Sequence, residues 1–419
     1  MRVLLPLLFA CACSAQPPPV TQPLSDETLR LARLRLAASS LFEKLPNITC
    51  TLTTERSRRQ SANRKFELID NLRLEVGLID GKELYAWPGS RRFDDRELVD
   101  MVGKEGAIGS GDFATHAKSI LLSGKTKLKF EGDETLDGRR ADRWSFHYPI
   151  ETSQYMMRIP PLEGMVGYSG VLWADSINRD LLRIEMEINE IPSHLPLKIG
   201  IKHITYERVR IGDASFLLPK DSDLTLVHRD GSESRNRTSF ASCRQFTGAS
   251  TLTFEDPPPD AAPKAPAVAW SLPEGLVVQL KPAADVDFRK AAVGDQIRFI
   301  VSKDAISAKQ TWLPSGAMVE GRITSTDCSD SPVFHCFALI RIEAFSFDNK
   351  EGVIRAGMDL PSVDQQLTLV ATLRRSLLAR APAIYISPAP GLGMIFTSGG
   401  KWPKSAVTVW RTLKESGGK

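Results

Sequence analysis

The sequence predicts a mainly β (α+β) protein built as two β-rich domains, and three features carry that prediction. Hydrophobic and polar residues alternate at a period of two over most of the chain, as half-buried strands require. Asp-Gly pairs at Asp80-Gly81, Asp137-Gly138 and Asp230-Gly231 interrupt the alternation where tight hairpin turns need left-handed backbone. Residues 255–270, EDPPPDAAPKAPAVAW, hold five Pro and five Ala with no large apolar residue before Val268. That composition is an extended linker, and it separates domains at 24–254 and 271–419.

The first domain opens with a helix. Ser25 is placed as its N-cap, Asp26 and Glu27 favour the positive end of the helix dipole, and Pro46 stops it. Leu31, Leu34, Ala38, Leu41 and Leu45 form one apolar stripe. Arg30, Arg33 and Arg35 flank it and read as a solvated face rather than a membrane-surface helix. The period then changes to two at Ile48–Leu52 and Leu72–Val76. Strands follow around Leu128–Phe130, Trp144–Tyr148, Tyr168–Trp173, Leu182–Ile188, Ile199–Ile211, Phe216–Leu218, Leu224–His228 and Ser239–Phe246. Nine to eleven strands are expected, mostly hairpin-connected and so antiparallel. Residues 93–122 interrupt them as two short helices around the glycine-rich GKEGAIGSGDF. In the second domain, strands are expected at Leu276–Leu280, Gln296–Val301, Met318–Ile323, Ala338–Phe347, Val353–Met358 and Val407–Leu413, with a helix at Gln366–Arg380.

With 419 residues, 42% hydrophobic and 25% charged, the composition excludes a collagen-like, largely disordered or polytopic membrane chain. A net charge of +4 from 54 basic and 50 acidic residues gives no nucleic-acid footprint. Residues 1–15, MRVLLPLLFACACSA, have the layout of a secretory signal, and 16–23 read as a spacer. Leu8-Phe9-Ala10-Cys11 also resembles a lipobox, with Phe9 departing from the usual small residue; plain cleavage is the favoured reading over lipidation at Cys11. The remaining Cys50, Cys243, Cys328 and Cys336 suggest two disulfides in an exported chain. Cys328 and Cys336 fit the neck of a hairpin loop, which leaves Cys50 with Cys243; the other two pairings would tie the domains together. Asn47-Ile48-Thr49 and Asn236-Arg237-Thr238 are formal glycosylation sequons.

The search for catalytic motifs fails. There is no HExxH, and the closest His pair, His194 and His203, is nine residues apart. Ser123-Gly124-Lys125-Thr126 lacks the first glycine of a phosphate-binding loop and reads as a turn into the Leu128 strand. Gly167-Tyr168-Ser169-Gly170 is one residue short of a nucleophile elbow, and Ser398-Gly399-Gly400-Lys401 has two glycines where a helix would be needed. Carboxylates cluster at Asp94, Asp95, Glu97 and Asp100, and at Glu185, Glu187 and Glu190, without a readable separation. What remains is apolar. Trp144, Tyr155, Met156, Met157, Met165, Tyr168 and Trp173 are core residues by default and, if a curved sheet leaves a cavity, the candidate lining for an acyl chain.

The order of signal, helix, long meander and helical insertion resembles the LolA/LolB-like group of bacterial envelope proteins over about 24–254. The phrases that carry the resemblance are Gly167-Tyr168-Ser169-Gly170 with Trp173, Leu182–Ile188, and Ser242-Cys243-Arg244-Gln245-Phe246. It implies an antiparallel half-open β-barrel with helices on its concave face that binds acyl chains of lipoproteins or lipids. The second domain resembles the small β-barrel module of TrbI-like conjugation-channel proteins, through Leu276–Leu280, Ala292-Val293-Gly294-Asp295 and the run from Leu313 to Arg322.

The expectation is therefore an exported, non-catalytic protein of the periplasm or cell envelope, lipid-anchored at Cys11 or else soluble or secreted. Its first domain would hold a lipid or a lipoprotein acyl chain, and its second would meet an envelope protein partner. No cofactor, metal, nucleic acid or integral membrane span is expected. A structural or assembly protein without a cavity, and a carboxylate-dependent envelope hydrolase, are the alternatives.

Overall fold

The computed structural model describes residues 24–90, 93, 98–102, 107–159, 161–246, 268–329, 334–358 and 391–414. The leader, the spacer with its neighbouring Cys11, residues 255–267 of the linker, Asp94, Asp95, Glu97 and the helix expected at Gln366–Arg380 lie outside them.

The N-terminal part runs α1 (Asp26–Lys44), β1 (Ile48–Arg59), β2 (Glu67–Ile79), β3 (Lys82–Ala86), α2 (Leu98–Met101), α3 (Thr115–Leu122), β4 (Lys127–Leu136), β5 (Arg139–Tyr148), β6 (Met156–Ile159), β7 (Leu162–Met165), β8 (Gly167–Asp175), β9 (Leu181–Glu190), β10 (Leu197–Ile211), β11 (Ala214–His228) and β12 (Glu233–Gln245). Ser25 caps α1, its hydroxyl accepting from the Thr28 amide. Leu45 leaves the helix in extended conformation, as a residue before proline prefers. Asp80 and Asp137, with φ of 49° each, and the glycines after them, at 78° and 80°, form the tight turns between β2 and β3 and between β4 and β5.

Ten of these strands make one curled, half-barrel sheet in the order β3-β2-β1-β12-β11-β10-β9-β8-β5-β4, and β6–β7 is a separate hairpin. The segments expected as two strands at 216–218 and 224–228 are one continuous strand, β11. Pro219 lies within it at a register shift opposite Tyr206, where a missing N–H is tolerated.

The strand register lines up the inner face residue by residue. One row runs Phe130, Trp144, Leu172, Ile184, Ile204, Ser222, Thr238, Thr54, Leu72. The next runs Leu128, Phe146, Gly170, Met186, Lys202, Leu224, Asn236, Arg56, Asp70. The face is apolar at its β4–β9 end and becomes polar towards β1 and β2. Gly170 is required there, because a Cβ would lie 2.0 Å from the Glu185 carbonyl oxygen. Leu34, Leu31, Ala38 and Leu41 of α1, and Ala117, Ile120 and Leu121 of α3, pack on the apolar end.

β3 and β4 are opposite edges of the sheet, and of the chain that connects them, α2, residues 107–114 and α3 are described, with α3 packed on the inner face.

The C-terminal part continues with β13 (Val268–Ala269), β14 (Val277–Pro282), β15 (Val286–Asp287), β16 (Gln296–Lys303), β17 (Ala305–Ser307), β18 (Gln310–Leu313), β19 (Met318–Ser329), β20 (His335–Phe347), β21 (Lys350–Val353), β22 (Ala356–Met358), β23 (Leu392–Ser398), β24 (Lys401–Trp402) and β25 (Thr408–Thr412). Its main sheet has the order β13-β21-β20-β19-β16-β14-β25-β22, with β23 also on β20. It docks on β2 beyond the end of β3. There the Arg73 amide donates to the Val293 carbonyl (2.8 Å), the Val293 amide donates to the Asn71 carbonyl (2.7 Å), and the Arg73 guanidinium meets Asp295 at 2.6 Å. Buried Arg322 adds bonds to the Pro88 and Gly294 carbonyls. The contact covers an open sheet edge, which removes a site for unwanted strand pairing.

Cys50 pairs with Cys243, and Cys328 with Cys336. The first bond staples adjacent β1 and β12, the earliest and latest strands of the large sheet, beside a bulge at Thr49/Thr51. The second joins directly opposed positions of β19 and β20. Loop closure across separations of 193 and 8 residues predicts that Cys50→Ala/Cys243→Ala costs about 5 kcal/mol and Cys328→Ala/Cys336→Ala about 2.5 kcal/mol. Denaturant titration of the two double variants checks this, and equal losses would contradict it.

Candidate functional site

Two features of the inner face are candidates: a buried polar cluster at its centre and a cavity at one end. The cluster begins with Lys202 of β10, which is 0% exposed. A buried ammonium must find a counter-charge and hydrogen-bond partners. Asp112, on the crossing segment, supplies both through an ion pair. The other Asp112 oxygen accepts from the Ser222 hydroxyl at 2.6 Å. Lys202 Nζ also lies 3.3 Å from the Ser110 carbonyl and 3.2 Å from Nε2 of His116. Burial works against both charges, but their mutual attraction outweighs it: the Asp112 carboxyl is held below its usual range and the Lys202 ammonium above its own. Burial, then the Lys202 charge, lowers the His116 pKa to about 3, so that ring stays neutral.

A second tether lies nearby. Glu83 of β3 accepts from the amides of Gly111 (2.9 Å) and Ala114 (3.2 Å), from the Thr115 hydroxyl and from Tyr85. These bonds satisfy free N–H groups at the start of α3. Gly111, at φ +87°, lets the chain turn against His116, whose ring lies 2.9 Å from where a Cβ would stand. Lys202, Asp112, His116 and Ser222 are all buried. The cluster's chemistry is that of a latch holding the crossing segment to the sheet.

The cavity, of about 350 Å³, opens between α1 and the ends of β9, β10 and β11. It exists because α1 presents the small residues Ala37, Ala38 and Ser40 towards Phe216 and Leu217. Leu34, Leu41, Phe42, Leu45, Phe113, Leu121 and Leu181 complete its apolar wall. Tyr206 also lines it; its hydroxyl is buried with no hydrogen-bond partner among the described residues. Burial pushes that phenol well above its usual pKa, so it remains an O–H donor. Lys44, Arg179 and Arg208 line the same cavity. Arg208 is held by Asp180 through two 2.6 Å bonds, and Arg179 by Asp142 at 2.5 Å.

The aromatic and Met residues picked out by sequence fall in several places. Trp144, Met157 and Tyr168 are buried in the cluster beneath α3, and Tyr155 packs against them. Tyr155 also contacts the His116 ring, with centroids 5.0 Å apart. Met156 and Met165 pair across the β6–β7 hairpin, and Met156 is 42% exposed. Trp173 faces the other way, packing with Ala141 and Leu182 on the outer face and bonding Glu134. None of the seven lines the 350 Å³ cavity. Glu187 is exposed and Glu185 half-buried on the outer face, while Glu190 accepts from the Ile150 amide. The Ser123–Thr126 run is a turn between α3 and β4, and Asn236 of the second sequon is buried on the inner face. Among the described residues, no group of three or more His, Cys, Asp or Glu could hold a metal ion, and no helix is long and apolar enough to cross a membrane.

No family model and no curated protein matches the chain. Solved structures similar to it include a putative outer membrane lipoprotein-sorting protein domain from Vibrio parahaemolyticus, at 14% identity and TM-score 0.28, covering 53% of this chain and 94% of that one. A DUF1329 family protein from Desulfovibrio piger matches at 13% identity and TM-score 0.31, covering 55% and 98%. A LolA superfamily protein from Nitrosomonas europaea matches at 11% identity and TM-score 0.28, covering 52% and 94%.

The latch makes two predictions. Asp112→Ala leaves Lys202 buried without a counter-charge and costs about 3–5 kcal/mol, while adding Lys202→Met recovers most of that loss. A double-mutant cycle by denaturant unfolding measures it, and additive losses would contradict it. For His116, the unfolded chain binds its proton near pH 6.5 and the folded chain only near 3. Stability from this group is therefore present above pH 6.5 and is lost as pH falls, by about 1.4 kcal/mol per pH unit. His116→Asn flattens the slope of stability between pH 6 and pH 5; an unchanged slope would contradict the assignment.

Proposed function

We propose that the chain is an exported envelope protein that binds a lipid or lipidated partner through an acyl chain, held in the cavity beneath α1. The single observation that carries this reading is an apolar cavity of about 350 Å³ with cationic residues in its wall. Ligand sites generally fall between about 300 and 1,000 Å³ and combine apolar walls with a few fixed polar groups. An amphiphile with a hydrocarbon tail and an anionic or polar head has the matching chemistry. Two disulfides support a location in an oxidising compartment outside the cytoplasm.

The aromatic set Trp144, Tyr155, Met157 and Tyr168 enters the proposal differently. It lies against α3, so it becomes ligand lining only if the segment held by Asp112 and Glu83 withdraws. The C-terminal sheet is proposed as the module that meets an envelope protein partner, supported by apolar side chains left exposed at Val277, Ile306 and Val353.

Titration of delipidated protein with a fluorescent fatty acid tests the cavity. Leu41→Trp, which fills it, weakens binding by at least about tenfold. Met156→Ala, on the exposed hairpin, leaves binding unchanged. Equal binding by wild type and Leu41→Trp would overturn the proposal.

A further inference from the structure

The cavity does not end at Arg179. That residue also lines a second, polar cleft of about 240 Å³, whose walls include Arg30 and Arg33 of α1, Arg140 of β5 and Ser176 of the β8–β9 turn. The turn is built to hold its shape. The Asp175 carboxylate accepts from the Ile177 and Asn178 amides, and Arg179 adopts φ +65°, a conformation that a long side chain rarely takes. The result is one guanidinium standing at the junction of an apolar and a polar space.

The charges in the cleft divide into two groups. Arg30 is committed to Asp26 at 2.9 Å, Asp133 at 3.1 Å and Asp142 at 3.5 Å, and Arg179 to Asp142. Arg33 and Arg140 have no ion pair among the described residues. The Ser176 hydroxyl is buried and directed at the Asp142 carboxylate. Four guanidiniums thus face three carboxylates, leaving one positive charge over and two guanidiniums with their donors free. A group with one negative charge and several acceptor oxygens fits that remainder, and a phosphodiester is such a group. A carboxylate, with two oxygens, would leave part of the donor set unmet.

The apolar side sets the rest of the ligand. At about 350 Å³ the cavity lies at the low end of ligand sites, which suits one hydrocarbon chain and not a two- or three-chain anchor. The orphan Tyr206 hydroxyl in its wall offers a donor to an ester carbonyl. We infer that the two spaces form one site for a monoacyl phospholipid, with its chain beneath α1 and its phosphodiester between Arg33 and Arg140. This rests on the reading that the cavity holds an acyl chain, and it adds the headgroup and the number of chains.

Calorimetric titration of the full chain with three probes tests it: a lysophosphatidylglycerol, the monoacylglycerol of the same chain length, and inorganic phosphate. The lysophospholipid binds at least about tenfold more tightly than the neutral lipid at about 10 mM ionic strength, and the gap narrows at about 500 mM. Arg33→Gln/Arg140→Gln, both at exposed positions, removes the gap and leaves monoacylglycerol binding and the melting temperature unchanged. Equal affinities for the two lipids, or a gap that survives the double variant, overturn the headgroup assignment and leave the acyl cavity standing. Inorganic phosphate binding as tightly as the lysophospholipid overturns the single-amphiphile site in favour of a free-anion site. Failure of both lipids to bind, or binding that Leu41→Trp does not weaken, overturns the cavity reading itself.

Discussion

The pairing of β1 with β12 governs the rest of the N-terminal structure. A simple meander would leave its first and last strands at the two edges. Here the first and last strands are neighbours, tied by eleven residue pairs and by the Cys50–Cys243 bond, so the edges fall to β3 and β4 in the middle of the chain. Residues 107–122 of the segment between them lie on the inner face, and every backbone group buried there needs a partner. Glu83 satisfies the start of α3, and Lys202 with Asp112 fixes the approach to it. The buried Lys202–Asp112 pair inside the half-barrel follows from this connection.

The same constraint accounts for where free space remains. The eight-residue α3 covers the part of the inner face that holds Trp144, Tyr168 and Ile184. The longer α1 covers the end that α3 does not reach, and its small residues leave room against Phe216 and Leu217. Burying the ionic cluster adds little net stability, since the desolvation of two charges offsets most of their attraction. Its effect is to hold one register of the crossing segment, because any shift separates Lys202 from its counter-charge.

Much of the fold is legible in the sequence because local chemistry and tertiary structure agree. Ser25 and Pro46 bound α1, and Asp80-Gly81 and Asp137-Gly138 make the turns their backbone preferences require. Both disulfides follow the pairing that keeps each within one sheet. The candidate site was less legible. Ile199 and Ile201 suggest that odd-numbered positions of β10 face the core, yet Ile201 is exposed and Gly200, Lys202 and Ile204 face inward. A lysine in an apolar strand gives no sign of burial until its partner, 90 residues away, is placed beside it. Trp173 misleads in the opposite sense, because its one-residue offset from Leu172 puts it on the outer face. The cavity depends on small residues of α1 meeting β11, a long-range packing fact with no local signature.

The central claim is that an acyl chain lies between α1 and β11. A crystal structure with an ω-brominated fatty acid tests it most directly. The account predicts an anomalous peak between Leu41 and Phe216. A peak beneath α3, beside Tyr168, or no bound ligand at saturating fatty acid, would contradict it.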